Sequence, residues 1–230
     1  MNELEGSEPL IVFLPGWASD CRIFRDISFP GQCIYADPGV NAGDISNLVM
    51  TIRDAGRPAI LFGWSLGGMT AARIASLYPD LTRGLILSGI RPSFPESAIS
   101  SLRLAIRRDR RAALIDFYRQ CFLPAQKDEY RWFTRDLMPT YLEEMDAGLL
   151  ESSLDVLGNG KISRETIASL PALLGHGRKD IVAPVEEAAA LAGGMPNVRV
   201  CFMENYGHAA FLSPEFLELA RRWISSILHM

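Results

Sequence analysis

One pentapeptide constrains this chain more than any other feature. Gly63-Trp64-Ser65-Leu66-Gly67 follows the apolar run Pro58-Ala59-Ile60-Leu61-Phe62 and precedes a helix-like stretch from Gly68 to Tyr78. A strand that turns through G-x-S-x-G directly into a helix is the setting of a nucleophile elbow. The turn is so tight that side chains at its flanks would collide, and glycine at 63 and 67 removes them. Ser65 is then held on a strained turn with its hydroxyl presented, at a helix N-terminus whose dipole favours negative charge.

The surrounding chain predicts an α/β fold. Leu10–Leu14 reads as a buried strand ended by Pro15-Gly16, and residues 32–37 as a second, closed by Pro38-Gly39. A helix is expected over 44–55, a strand over 58–63, the elbow helix up to Pro79, and a strand over 83–88. Further on come strands at 172–175 and 198–202, an alanine-rich helix at 184–192 between them, and a last helix from Pro214 to about Ile227. Strands alternating with helices imply a mostly parallel central sheet covered on both faces. Residues 91–164 break the alternation and read as several helices, too long for a loop in a compact domain. The expected organisation is a core from 1–90 and 165–230, with 91–164 inserted as a helical lid over the C-terminal edge of the sheet, where α/β sites lie.

Composition narrows the function classes. A chain of 230 residues is one domain, here with an insertion. The net charge of −4 argues against nucleic acid as a partner. No apolar run approaches the roughly 18 residues of a membrane span, and the acidic N-terminal residues lack the features of a signal peptide. Cys21, Cys33, Cys121 and Cys201 are scattered without a C-x-x-C pair, which suits a reducing cytoplasm. His176, His208 and His229 show no ligand spacing, so neither metal nor other cofactor is expected. The chain is expected to be a monomer.

A serine hydroxyl needs a base within hydrogen-bond reach and a third group to orient that base. His208, between the final strand and the final helix, is the placed base; His176 is read as a loop-packing residue and His229 as idle. Asp180 follows a strand in a glycine-containing turn, so the order serine, acid, histidine is complete. Donors for a developing oxyanion are expected from the backbone N–H of Leu66 and of Trp17, the latter in the loop after the first strand. The Trp17 ring is a candidate wall of the acyl pocket.

These residues resemble the α/β-hydrolase superfamily from Leu10 to the last helix. Within it, Leu14-Pro15-Gly16-Trp17, Gly63 to Gly68, and Gly207-His208-Ala209-Ala210-Phe211 are similar to the pimeloyl-acyl-carrier-protein methyl ester esterases of biotin synthesis, and Leu149 to Leu157 resembles the end of their lid. Many relatives carry histidine where this chain has Pro15, but a backbone donor does not depend on that side chain. The resemblance implies a Ser-His-Asp carboxylesterase, pocket contacts at Phe117 and Cys121, and an acidic acyl carrier protein as partner. Residues 101–135 hold nine Lys/Arg against four Asp/Glu, a net of +5 in a chain of −4. Arg103, Arg107, Arg110 and Arg111, at three- and four-residue spacing, are read as one basic helical face for docking that partner. A small-ester esterase or thioesterase with the same triad, and a catalytically silent binding module on the same fold, remain as alternatives.

Overall fold

The computed structural model describes residues 8–36, 43–122 and 124–228. Its strands are β1 (Leu10–Leu14), β2 (Gln32–Tyr35), β3 (Ala59–Trp64), β4 (Thr82–Ser88), β5 (Ala172–Gly177) and β6 (Val198–Met203). They form one sheet in the order β2-β1-β3-β4-β5-β6, and every neighbouring pair is parallel. Burial follows position. β1 and β3 are buried at every residue, as continuous apolar runs in a sheet covered on both faces must be. The edge strands β2 and β6 are mostly half-buried or exposed. Pro38-Gly39, expected to close the second strand, and His229 lie outside the described residues.

Helix α1 (Ser46–Asp54) leads to β3 and α2 (Leu66–Leu77) leaves it. Nine of the 12 residues of α2 are buried, because the helix lies against β1, β3 and β4. Such a helix is apolar nearly all round rather than striped. Helix α9 (Val185–Ala192) packs on β5 and β6, and α10 (Pro214–Leu228) on β5. A Cβ at Gly175 would fall 2.3 Å from the Phe216 ring, so glycine is what lets α10 press this close to β5.

Among the described residues the elements between β4 and β5 are all helices: α3 (Glu96–Arg108), α4 (Arg110–Phe122), α5 (Lys127–Asp136), α6 (Met138–Glu144), α7 (Ala147–Asn159) and α8 (Arg164–Ala168). These have an aromatic core of their own. Phe133 lies 4.8 Å from Tyr118, 5.0 Å from Phe122 and 5.9 Å from Tyr141, ring centre to ring centre. All four are buried, each worth about 1.5–3 kcal/mol of transfer free energy. The inserted helices are also fastened to the loop after β1. The Trp17 indole N–H donates to the Leu150 carbonyl (3.1 Å), and the Tyr118 hydroxyl to that of Ala18 (2.7 Å).

One sequence expectation fails here. The basic stretch is not one helix. Asp109 adopts extended backbone between α3 and α4, and its carboxylate accepts the Ala112 N–H at 3.0 Å. It ends one helix and caps the next, so Arg103 and Arg107 lie on a different helix from Arg110 and Arg111.

Candidate active site

Ser65 has φ 55° and ψ −117°, a conformation that costs a non-glycine residue energy. The surroundings enforce it. The Ser65 N–H donates to the Ser88 carbonyl at 2.9 Å, and the turn is compressed on both sides. A Cβ at Gly63 would lie 2.5 Å from the Gly67 carbonyl oxygen, and one at Gly67 only 2.0 Å from that of Leu14. The elbow thus rests directly on the end of β1. Leu66 is the first residue of α2, so its N–H has no acceptor within the helix and points out of the N-terminus.

His208 sits between β6 and α10 with its ring buried. Ser65 Oγ lies 2.9 Å from His208 Nε2, and His208 Nδ1 lies 2.9 Å from Asp180 Oδ2. The carboxylate accepts at Nδ1, which places the imidazole proton there and leaves the Nε2 lone pair for the Ser65 hydroxyl. Asp180 lies in the turn after β5, and its Oδ1 accepts the N–H groups of Val182 (2.9 Å) and Ala183 (2.8 Å). Burial pushes the Asp180 carboxyl upward. His208, His176 and the Ala183 N–H outweigh it, and the net direction is downward, so Asp180 is ionised at neutral pH.

His176 is not in a loop. It is the next-to-last residue of β5, buried, and its Nε2 lies 2.7 Å from the Ala183 carbonyl oxygen and 3.3 Å from Asp180 Oδ2. A second imidazole therefore faces the acid. Burial holds the His176 pKa below its ordinary value despite the pull of Asp180. The four-residue spacing from Asp180 was visible in the sequence; that both point inward was not. Trp64 was missed altogether as a neighbour, yet its indole N–H donates to the His208 carbonyl at 2.9 Å.

A cavity of about 470 Å³ lies between the inserted helices and the segment after Asp180. Phe94, Leu102, Ala113, Phe117, Leu157 and Val182 give it apolar walls, with Asp116, Gln120 and Arg91 among them. Arg91 is engaged by Glu187 and by the Val182 carbonyl. Phe117 lines this cavity, and its ring meets that of Trp17 edge-on at 4.7 Å. Cys121 does not line it. The residue is fully buried, and its carbonyl oxygen accepts the Ala209 N–H at 3.1 Å. Burial, with Asp180 adding to it, drives its thiol pKa far up, so it is inert packing beside the histidine loop.

The arginines divide. Arg103 pairs with Asp155 (2.7 Å) and Arg107 with Glu151 (2.6 Å), both across to α7. Arg110 donates to the carbonyls of Leu142 and Met145. These three hold the inserted helices to one another. Among the described residues Arg111 alone of the four is exposed and free of such a contact, and Arg108 on α3 and Arg119 on α4 are exposed as well. Among the described residues no group of three His, Cys, Asp or Glu side chains is disposed to hold a metal, and no helix is long and apolar enough to cross a membrane.

A sequence model of the alpha/beta hydrolase family matches residues 11–219. The chain belongs to that family. Curated relatives run along nearly its whole length. It is 25% identical to the pimeloyl-[acyl-carrier protein] methyl ester esterase of Nitrosomonas europaea, over 92% of this chain and 93% of the relative. It is 28% identical to the protein of that name from Photorhabdus laumondii, over 96% and 94%. The AB hydrolase superfamily protein YisY of Bacillus subtilis is 26% identical over 87% and 85%. Among solved structures, a thermophilic esterase from Thermogutta terrifontis superposes with a TM-score of 0.75 at 20% identity, covering 96% of this chain and 91% of that one. An enol-lactonase from Burkholderia xenovorans does so at 0.75 and 16%, covering 100% and 94%. At those identities the structures speak for the alpha/beta hydrolase fold.

Proposed function

We propose that this chain, a carboxylic ester hydrolase of the alpha/beta hydrolase family, removes the methyl group from a pimeloyl-acyl-carrier-protein methyl ester in the cytoplasm. The observation that carries the reading is the unbroken hydrogen-bonded line from Ser65 through His208 to Asp180, 2.9 Å at each link. The substrate is drawn from the relatives that bear that name along most of the chain.

Ser65 Oγ attacks the ester carbonyl while His208 Nε2 takes its proton. The ionised Asp180 holds the tautomer and stabilises the imidazolium that forms. The N–H groups of Leu66 and Trp17 receive the oxyanion, the first at a helix N-terminus. His208 then protonates the departing methoxide as methanol, takes a proton from the water that attacks the acyl-enzyme, and returns that proton to Ser65 Oγ as the free acid leaves. No step calls for a cofactor. The apolar cavity beside Phe117 takes the acyl chain, and the inserted helices act as its lid. The carrier protein, acidic by the resemblance, docks on the exposed guanidinium groups of Arg111, Arg108 and Arg119.

The test is turnover of pimeloyl-carrier-protein methyl ester, followed by mass, beside p-nitrophenyl butyrate. Release of methanol from the carrier-bound ester at a much higher kcat/KM supports the reading. Equal efficiency on both makes the chain a general small-ester esterase. Failure of Ser65 to react with a fluorophosphonate makes it a silent binding module.

A further inference from the structure

The histidine loop is held by a residue that no motif marks. Gln126 lies between α4 and α5, with 2% of its surface exposed. Its backbone is fixed on both sides, since its N–H donates to the Phe122 carbonyl (2.8 Å) and its carbonyl accepts the Tyr130 N–H (2.9 Å). Its side-chain amide spans His208. Oε1 accepts the N–H of Gly207 at 3.0 Å, and Nε2 donates to the carbonyl of Ala209 at 3.0 Å. One amide thus pairs with the backbone of the residues immediately before and after the histidine, as a neighbouring strand would.

The orientation is chemically forced. Gly207 offers a donor and Ala209 an acceptor, and only one setting of a primary amide satisfies both. Further contacts complete the enclosure: the Ala209 N–H donates to the Cys121 carbonyl (3.1 Å), and the Trp64 indole donates to the His208 carbonyl (2.9 Å). Gln126 and Cys121 both come from the inserted segment, whereas Trp64 comes from the elbow. With its backbone held from two sides, His208 has only its side-chain torsions left to set. Both of its ring bonds are 2.9 Å long. A backbone shift approaching 1 Å would stretch either of them beyond hydrogen-bond range.

We infer that Gln126 is a positioning residue, which holds His208 in register between Ser65 and Asp180 by bracketing its backbone from the inserted helices. The inference rests on His208 serving as the base, and the experiment separates the two. Gln126→Met keeps length and bulk and removes both bonds. Its kcat on p-nitrophenyl butyrate should fall about 10- to 100-fold, the scale of a small misplacement of a reacting group, while KM stays near the wild-type value. The rate of Ser65 labelling by a fluorophosphonate should fall in parallel, with the same final number of labelled sites. The far-downfield proton resonance of the His208–Asp180 bond should broaden or vanish while the rest of the amide spectrum stays in place.

A residue that merely supports the fold would lower the melting temperature and leave kcat per folded molecule and that resonance unchanged; this outcome overturns the inference. Should Gln126→Met not accumulate as folded protein, Gln126→Glu decides in its place. Buried at this site, a glutamic acid in its protonated form can make both bonds, whereas its carboxylate has no donor for Ala209, so kcat relative to wild type must drop as pH rises through that ionisation. A kcat equal to wild type in folded Gln126→Glu across the whole range from about pH 6 to about pH 10 overturns the inference. Full activity in His208→Ala would instead remove the assignment of the base itself.

Discussion

His176 and Asp180 face each other across 3.3 Å at the end of β5, and the same carboxylate oxygen also accepts the Nδ1 hydrogen bond of His208. His176 donates through Nε2 to the Ala183 carbonyl, which leaves its Nδ1 buried without a hydrogen-bond partner among the described residues. The ring is therefore held neutral, and this has a cost in acid. Its folded pKa lies below the unfolded value of about 6.5, so the unfolded chain binds more protons between the two. Stability from this residue is complete above about pH 6.5 and declines as pH falls below it. Urea unfolding at stepped pH should show that decline in the wild type and a flatter profile between pH 7 and 5 in His176→Gln. Asp180, whose folded pKa is lowered, acts further down. Its contribution is present above about 3.9 and is lost as pH falls through its folded value, so the two effects separate.

Replacement of Ser65 or His208 by alanine should each lower kcat on p-nitrophenyl butyrate by about 10³-fold or more, and the double variant little further, because the pair acts as a unit. Asp180→Asn should fold and lose about 10²- to 10⁴-fold through the wrong histidine tautomer. Near-normal turnover in any one of them would assign that role elsewhere.

The divided arginines give a two-sided kinetic test. Arg108, Arg111 and Arg119 changed together to glutamate should weaken kcat/KM for a carrier-bound ester and leave p-nitrophenyl butyrate turnover alone. Rising salt should imitate this in the wild type by screening. The same change at Arg103, Arg107 and Arg110 should damage both activities, since these residues tie the inserted helices together. Loss on both substrates from the first set would mean that it, too, is structural.

The elbow glycines differ from ordinary turn glycines. At Gly67 an added Cβ would meet the Leu14 carbonyl oxygen at 2.0 Å, whereas at Gly194, with φ 76°, it would meet nothing within 4 Å. Gly67→Ala should cost at least about 3 kcal/mol, the upper end of overpacking penalties, or prevent folding. Gly194→Ala should cost about 1–2 kcal/mol, the penalty of the left-handed backbone alone. Comparable denaturation midpoints for the two would show that the elbow can relax.

The central sheet was legible because its signal is local. β1, β3 and β4 are short apolar runs bounded by glycine, proline or charge, and they lie within a residue of where periodicity puts them. That Ser65, Asp180 and His208 would come together was legible because each follows a strand of the sheet within a few residues, in a recognisable order. What escaped depends on partners far away in sequence. Gln126 looks like any polar residue beside a helix until Gly207 and Ala209 arrive from 81 and 83 positions downstream. The arginine face failed for a different reason. Three- and four-residue spacing was read across Asp109, whose capping side chain restarts the helix and resets the angular phase.

The bonds from Trp17 to Leu150 and from Tyr118 to Ala18 limit how this architecture can be recombined. A chimaera that exchanged residues 91–164 for the corresponding helices of another hydrolase would inherit an indole N–H and a backbone carbonyl in the first loop without the groups that answer them. Segment and loop are one unit of inheritance. Crossovers that carry residues 15–19 together with the helices preserve it, and those that follow the apparent module boundary break it.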